Sequence, residues 1–165
     1  MIKKINPGEI IAAHFSTFKK DRDSKICWGS IIFQIILALV LAFIHTKWFE
    51  VNENVVGIVV SSASIVAGLL LNLMVLIYTL VTGRLRISKS NVSIMEKLAS
   101  ATIANIAFCI LCSVILVVSA LCNLTSIKWI NILGHFSMCF FGTLVTLTII
   151  IILVNFYTLI NNGIK

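Results

Sequence analysis

The chain of 165 residues contains four long segments without a single Asp, Glu, Lys or Arg, and they constrain its fold more than any other feature. They cover residues 26–46, 54–83, 98–127 and 129–164. About 20 apolar residues in a helix that rises about 1.5 Å per residue cross a hydrocarbon layer of about 30 Å, so each segment can span a bilayer. The sequence predicts an all-α, four-helix transmembrane bundle with spans near 26–46, 55–82, 98–122 and 130–160.

Little of the chain is left outside these spans, since 59% of its residues are hydrophobic and its mean hydropathy is +1.09. We expect two parts: residues 1–25, a cytoplasmic helix with a basic collar, and residues 26–165, the four-pass domain with a basic loop at 83–97. Neither 1–25 nor the loop is long enough for a soluble domain. The first apolar segment follows too many charges to be a cleaved signal peptide.

The positive charges predict how the chain crosses the membrane. Eleven of the 13 Lys and Arg residues fall in the N-terminal segment, the 83–97 loop and the C-terminus, which leaves only Lys47 and Lys128 for the opposite side. Lys and Arg near the ends of spans remain in the cytoplasm. We therefore expect a multi-pass inner-membrane protein with both termini and the basic loop in the cytoplasm.

The N-terminal segment has the signature of a short helix. Asn6 suits an N-cap, Pro7 the first helical position, and Glu9 the third position of a capping box. One face of the following turns is apolar, with Ile11, Phe15 and Phe18. We interpret this segment as an amphipathic interfacial helix on membrane lipid of the inner leaflet, preceding a collar that includes Lys19, Lys20 and Arg22.

Three amide side chains lie deep within the predicted spans: Gln34, Asn72 and Asn105. At helical rise they are roughly 12–18 Å from the nearest cytoplasmic charge of their own segment. An amide that faces lipid is costly, so these amides must face one another, a neighbouring subunit or water. Two interpretations stay open: an interhelical polar layer that confers packing specificity, and a ring that lines a pore in a homo-oligomer.

The second span carries small residues at helical spacing: Gly57, Ser61, Ser64 and Gly68. Membrane helices associate through such residues because lipid is as apolar as the helices themselves. We therefore predict that this line is a helix-packing face and that the protein is a homo-oligomer, with a tetramer as the expected state.

The basic loop alternates positive residues with apolar or small ones, and contains Arg84, Arg86 and Lys89. One interpretation is that these are ordinary topology charges. The other is that they form one basic cytoplasmic face with Lys19, Lys20 and Arg22. Such a face would attract a nucleic acid, an anionic second messenger or an acidic protein. We expect a cytosolic partner protein, linked to nucleic acid or to a nucleotide signal.

Residues that would indicate catalysis, a cofactor or a metal do not form a recognisable motif. Cys109 and Cys112 match C-x-x-C, but they fall near mid-membrane, where a thiolate is strongly disfavoured. His14, His45 and His135 are far apart in the sequence, and we interpret His135 as a packing or interfacial residue. The spans also lack the charged residue that ion-coupled transporters need. We expect neither an enzyme nor a cofactor nor a metal site.

Small and polar residues occupy the run SSASIVAGLLLN at 61–72, which continues to Thr82-Gly83-Arg84 and the basic loop. In this layout the chain resembles the small four-pass membrane components of bacterial anti-phage defence systems of the Kiwa or Hailong type. The resemblance implies a membrane sensor or effector with a cytosolic partner. A sensor would signal when infection perturbs the envelope, and an effector would open and dissipate the membrane potential.

We therefore expect an oligomeric inner-membrane sensor or channel-like effector of anti-phage defence, acting with a cytosolic partner on its basic face. One alternative is a non-conducting anchor or assembly subunit of another complex. A further alternative is a lytic or redox protein, such as a holin-like pore or a thiol oxidoreductase. The fold alone does not decide among these functions.

Overall fold

The computed structural model describes residues 6–18, 28–49, 51–85 and 92–164, and every regular element in these ranges is an α-helix. The helices are α1 (Pro7–Ser16), α2 (Trp28–Trp48), α3 (Glu53–Leu85), α4 (Val92–Cys122) and α5 (Lys128–Ile164). Helices α2 to α5 each contain a stretch that is long and apolar enough to cross a membrane. The prediction of four long apolar helices in an all-helical protein is confirmed.

The long helices continue beyond the apolar segments. Helix α3 ends at Leu85 and α4 begins at Val92, so the connection between them is shorter than the predicted loop at 83–97. A helix satisfies its own backbone hydrogen bonds and need not end where the hydrocarbon does. The apolar stretch of α5 has 34 residues, which is about 51 Å and exceeds the thickness of the hydrocarbon layer. It must therefore tilt or project beyond that layer.

Helix α4 is the centre of the bundle. It packs against α5, α3 and α1, whereas α2 packs mainly against α5. In an 18-residue apolar window of α4, 44% of the residues are buried, compared with 11% in the corresponding window of α3. Helix α3 is therefore peripheral, and the other described residues cover one of its faces.

Buried residues recur every seven positions on the three helices of the core. On α3 they are Val56, Ala63, Leu70 and Ile77. On α4 they are Ala99, Ile106, Ser113 and Ala120, and on α5 they are Met138, Val145, Ile152 and Leu159. A seven-residue repeat keeps one face against its neighbour when helices cross at about 20° with a left-handed twist, as in most membrane bundles.

The start of α1 confirms the N-cap that the sequence predicts. The Oδ1 atom of Asn6 accepts a hydrogen bond from the backbone N–H of Gly8 at 3.3 Å, and Pro7 occupies the first turn. At the other end, the Thr17 hydroxyl donates to the carbonyl of His14 at 2.7 Å. Local side chains therefore satisfy backbone groups at both ends of this helix.

Polar side chains hold the turn between α4 and α5. Asn123 donates through Nδ2 to the carbonyl of Ser119 at 2.9 Å, and Asn131 donates to the carbonyl of Asn123 at 2.6 Å. The hydroxyls of Ser119 and Ser137 are 2.8 Å apart and join the two helices. These bonds bring the start of α5 into close contact with the end of α4.

Replacing Gly134 by Ala should destabilise the bundle, because a Cβ there would lie 2.9 Å from Cys122 Cβ and 3.0 Å from the carbonyl oxygen of Ser119. Such overpacking costs about 1–3 kcal/mol. The matched control is Gly142→Ala in the same helix, where the nearest atom, Leu116 Cδ1, is 3.8 Å away. The control should be neutral or stabilising, since alanine is the better helix former. Thermal unfolding in mild detergent measures both variants, and equal unfolding temperatures would contradict the argument.

Candidate functional site

The three amides predicted to form a polar layer have three different environments. Gln34 and Asn105 are buried, whereas Asn72 is exposed on α3. Gln34 donates through Nε2 to the hydroxyl of Thr148 at 3.4 Å and so joins α2 to α5. A single chain does not bring the three amides together, because Gln34 faces α5, Asn105 faces α1 and Asn72 faces away from the bundle.

Asn105 fastens α1 to the bundle. The side chain of His14 is fully buried, and its Nδ1 atom lies 2.8 Å from Asn105 Oδ1. The Thr17 hydroxyl also lies 3.2 Å from this oxygen, although its single proton is closer to the carbonyl of His14, whose oxygen is 2.7 Å away. An amide oxygen only accepts hydrogen bonds, so His14 carries its proton on Nδ1 in this contact. The hydrogen bond from His14, with the longer Thr17 contact beside it, therefore connects α1 to α4 through one buried oxygen.

Aromatic rings complete this contact. The His14 ring stacks on Phe108 of α4, with centroids 3.9 Å apart and planes only 4° from parallel. Phe18 meets the same imidazole edge to face at 5.4 Å, and Ile10 packs against the main core. Thus α1 uses part of its apolar surface against protein, while Ile11 remains 38% exposed.

The electrostatics favour a neutral His14. Burial lowers the pKa of His14 below its ordinary value of 6.5, and the hydrogen bond to Asn105 acts in the opposite direction with a smaller effect. The Nε2 atom of His14 and the Nδ2 atom of Asn105 are buried without a hydrogen-bond partner among the described residues. A proton added at Nε2 would place a charge inside the contact between two helices, which opposes docking.

The sequence interpretation did not single out His14 or Thr17. A signal was present, because Ile10, His14 and Thr17 are spaced by four and three residues and so share one face of α1. The deep amide of Asn105 also required a partner. The sequence did not show that these two features meet, since 91 positions separate His14 from Asn105.

The predicted packing line on α3 faces away from the other helices that the structure describes. All four of its members are exposed: Gly57, Ser61, Ser64 and Gly68. A Cβ placed on Gly57 or Gly68 would meet no atom within 4 Å. The residues that α3 buries within the chain are instead the seven-residue repeat that begins at Val56. The line is therefore available to a second molecule.

Helices α2 and α3 flank an apolar groove of about 760 Å³, with α5 along its floor. At one end of the groove, His45 Nδ1 lies 3.1 Å from His135 Nε2, and the two rings meet edge to face. Cys139 lines the groove beside them. The premise that the histidines are widely separated does not hold for this pair, because the packing of α2 on α5 brings together residues 90 positions apart.

The predicted cysteine pair lies in the core, and most of the predicted docking residues lie outside the described residues. The two thiols of the C-x-x-C pair, Cys109 and Cys112, are free and buried in the core. Cys109 donates through Sγ to the carbonyl of Val145 at 3.8 Å. Of the predicted docking residues, Arg84 belongs to the last turn of α3. The others lie outside the described residues: Lys19, Lys20, Arg22, Arg86 and Lys89.

No protein-family model matches the chain, and neither a curated protein nor a solved structure shows significant similarity to it. Three features of the described residues bear on the function: the docked helix α1, the outward line of α3 and the groove with its histidine pair.

Acid should loosen α1. A histidine whose pKa is lowered in the docked state contributes fully above its ordinary value of 6.5 and loses that contribution as the pH falls below it. Hydrogen exchange of the α1 amides, corrected for the intrinsic rate, should therefore be faster at about pH 5 than at about pH 7.5. His14→Gln cannot titrate and should abolish this difference, whereas His45→Gln should retain it. An equal response in His14→Gln would assign the effect to another group.

Proposed function

We propose that this chain is the subunit of an oligomeric inner-membrane protein that assembles through α3 and works as a sensor or channel-like effector. The observation that carries the proposal is the outward line of α3, formed by Gly57, Ser61, Ser64 and Gly68 and continued by Asn72. These residues follow one another at intervals of three or four, so they lie along one side of the helix. The other side of α3 packs on α4.

Asn72 makes lipid an unsuitable neighbour for this line. Its side chain is exposed within the apolar stretch Glu53–Thr82 and makes no hydrogen bond to any described residue. An amide transferred to hydrocarbon without a partner costs about 4 kcal/mol or more. A second α3 or a file of water would satisfy the amide, and the glycines and serines beside it allow another helix to approach closely.

A conducting path through this protein would run between chains. Within one chain, the space between α3, α4 and α5 is filled by apolar side chains, including Ile77, Ile106 and Ile152. Around the axis of an oligomer, the α3 helices would instead contribute hydroxyls from Ser61 and Ser64 and the amide of Asn72. Such groups can line a pore, and a tetramer remains the expected assembly.

The charge distribution and the layout extend the proposal. Both termini and the connection between α3 and α4 lie in the cytoplasm, where α1 keeps Ile11 at the lipid interface. The basic face that includes Arg84 and Arg86 docks a cytosolic partner. In line with the resemblance to anti-phage components, a perturbed envelope changes the contacts between α3 helices, and the partner or the membrane potential responds. A non-conducting membrane anchor is the alternative.

Two adjacent serines test assembly through α3. Ser61 lies on the outward line, whereas Ser62 lines the groove between α2 and α3, and both are exposed in one chain. Isoleucine at Ser61 should block close approach and weaken association by about tenfold or more, which corresponds to about 1.4 kcal/mol. Ser62→Ile should keep the native stoichiometry. Mass photometry in mild detergent and photobleaching steps in vesicles measure this, and an oligomer insensitive to Ser61→Ile would reject assembly through this face.

Conductance tests the remainder of the proposal. In planar bilayers, Asn72→Asp should increase the preference for cations over anions, because a ring of carboxylates attracts cations. Ser62→Ile should leave the ion preference of the wild type unchanged, and mass photometry confirms that each variant assembles. An intact oligomer without conductance would reject the channel-like effector and favour the non-conducting alternative.

A further inference from the structure

Three side chains with metal-binding atoms meet at one end of the groove between α2 and α3. They are His45 of α2 and His135 and Cys139 of α5, and their donor atoms all lie within 4.8 Å of one another. We propose that these side chains bind a thiophilic transition-metal ion, Cu(I) in preference to Zn(II). A bound ion would link α2 to α5. The site lies near the end of the α2 apolar stretch that contains Lys47, and near the end of the α5 apolar stretch that contains Lys128.

The backbone places these donors without distortion. His135 and Cys139 are four residues apart in α5, so they project from the same face of the helix. His45 reaches the same point from α2, with its Nδ1 atom 3.1 Å from His135 Nε2. Two nitrogen ligands at about 2.0 Å from a three-coordinate metal are roughly 3.5 Å apart. Small side-chain rotations would therefore admit an ion between the rings.

Burial and access are both suitable for a bound ion. His135 is 7% exposed, whereas His45 and Cys139 are half-buried and line the groove. The groove offers an ion a route to the donors from one side. On the other side, the packed α2 and α5 helices hold the rings in place, since Ala38 and Ala42 of α2 are fully buried. A rigid pair of helices is a good support for a metal site.

The charge of the bound complex favours Cu(I) over Zn(II). The donors lie within apolar helices, where an uncompensated charge is costly. One thiolate and two neutral imidazoles around Cu(I) form a neutral complex, whereas the same ligands around Zn(II) retain one positive charge. No carboxylate belongs to the cluster within the described residues to offset that charge. Thiolate and imidazole bind both Cu(I) and Zn(II), so the preference for Cu(I) rests on charge.

Binding exchanges one Cu(I) ion for one proton. Binding of Cu(I) to Cys139 forms a Cu–S bond and releases the thiol proton to solvent, so the site gains no net charge. The hydrogen bond between the imidazoles is lost. The ring that donated this bond must change tautomer: it releases the bonding proton to solvent and takes up one proton at its other nitrogen. His45 then carries its proton on Nε2 and His135 on Nδ1, which leaves Nδ1 and Nε2, respectively, free to bind copper.

A plain hydrogen bond between the two imidazoles is the competing explanation for their contact. That bond would fasten α2 to α5 without any contribution from Cys139. Metal binding requires all three side chains. The role of Cys139 therefore separates the two explanations.

The test is a titration of the full-length protein, purified in mild detergent under reducing conditions, with chelator-buffered Cu(I) and in parallel with Zn(II). We expect one Cu(I) per chain and a copper K-edge absorption spectrum with two nitrogen ligands and one sulfur ligand. Cys139→Ser and His135→Gln should each weaken binding by more than about 100-fold, since loss of an outer-shell partner alone costs 10–100-fold.

Matched controls keep the result interpretable. Cys122→Ser and His14→Gln remove a cysteine and a histidine elsewhere and should leave Cu(I) affinity unchanged. Cys139→His restores a donor, so it should bind copper while the sulfur contribution disappears from the spectrum; helical content and elution volume verify folding. Failure of the folded wild type to bind Cu(I), or equal affinity in Cys139→Ser, would overturn the site. Tighter binding of Zn(II) would overturn the copper assignment.

Discussion

A polar side chain inside an apolar helix must find a partner in the protein, because lipid offers no hydrogen bond. Much of the specific packing in this molecule follows from that constraint. Gln34 meets Thr148 between α2 and α5, and Ser119 meets Ser137 between α4 and α5. Asn105 takes its partners from outside the four long helices, and thereby attaches α1 to the bundle. Each of these contacts specifies which two helices lie side by side.

Apolar contacts have a different role. Burial of apolar surface does not drive helices together when the alternative neighbour is lipid, so close fit and polar contacts must provide the specificity. The seven-residue repeats on α3, α4 and α5 provide the close fit in the core. They leave the opposite side of α3 uncovered, with Asn72 exposed on it. The order in which helices surround α4 therefore sets which surface is available for assembly.

The buried face of α3 could not be predicted from the sequence of that helix alone. Two lines run along α3, one through Gly57 and Gly68 and the other through Val56 and Ile77. The residues of both lines have helical spacing, and the small residues of the first line led to its prediction as the packing face. Within the chain, α4 covers the second, because the repeat on α4 matches its seven-residue period. The sequence of α3 contains both faces, and only the neighbouring helix determines which of them is buried.

The sequence by itself determined the properties that depend on local composition. Charge-free length predicted the four long helices, and the N-cap at Asn6 predicted the start of α1, since each depends on residues close together in the chain. Tertiary structure alone decided which distant residues meet. His14 reaches Asn105, and His45 reaches His135 beside Cys139, across about 90 positions. Such contacts depend on how whole helices pack, and that arrangement is a property of the assembled bundle rather than of any one segment.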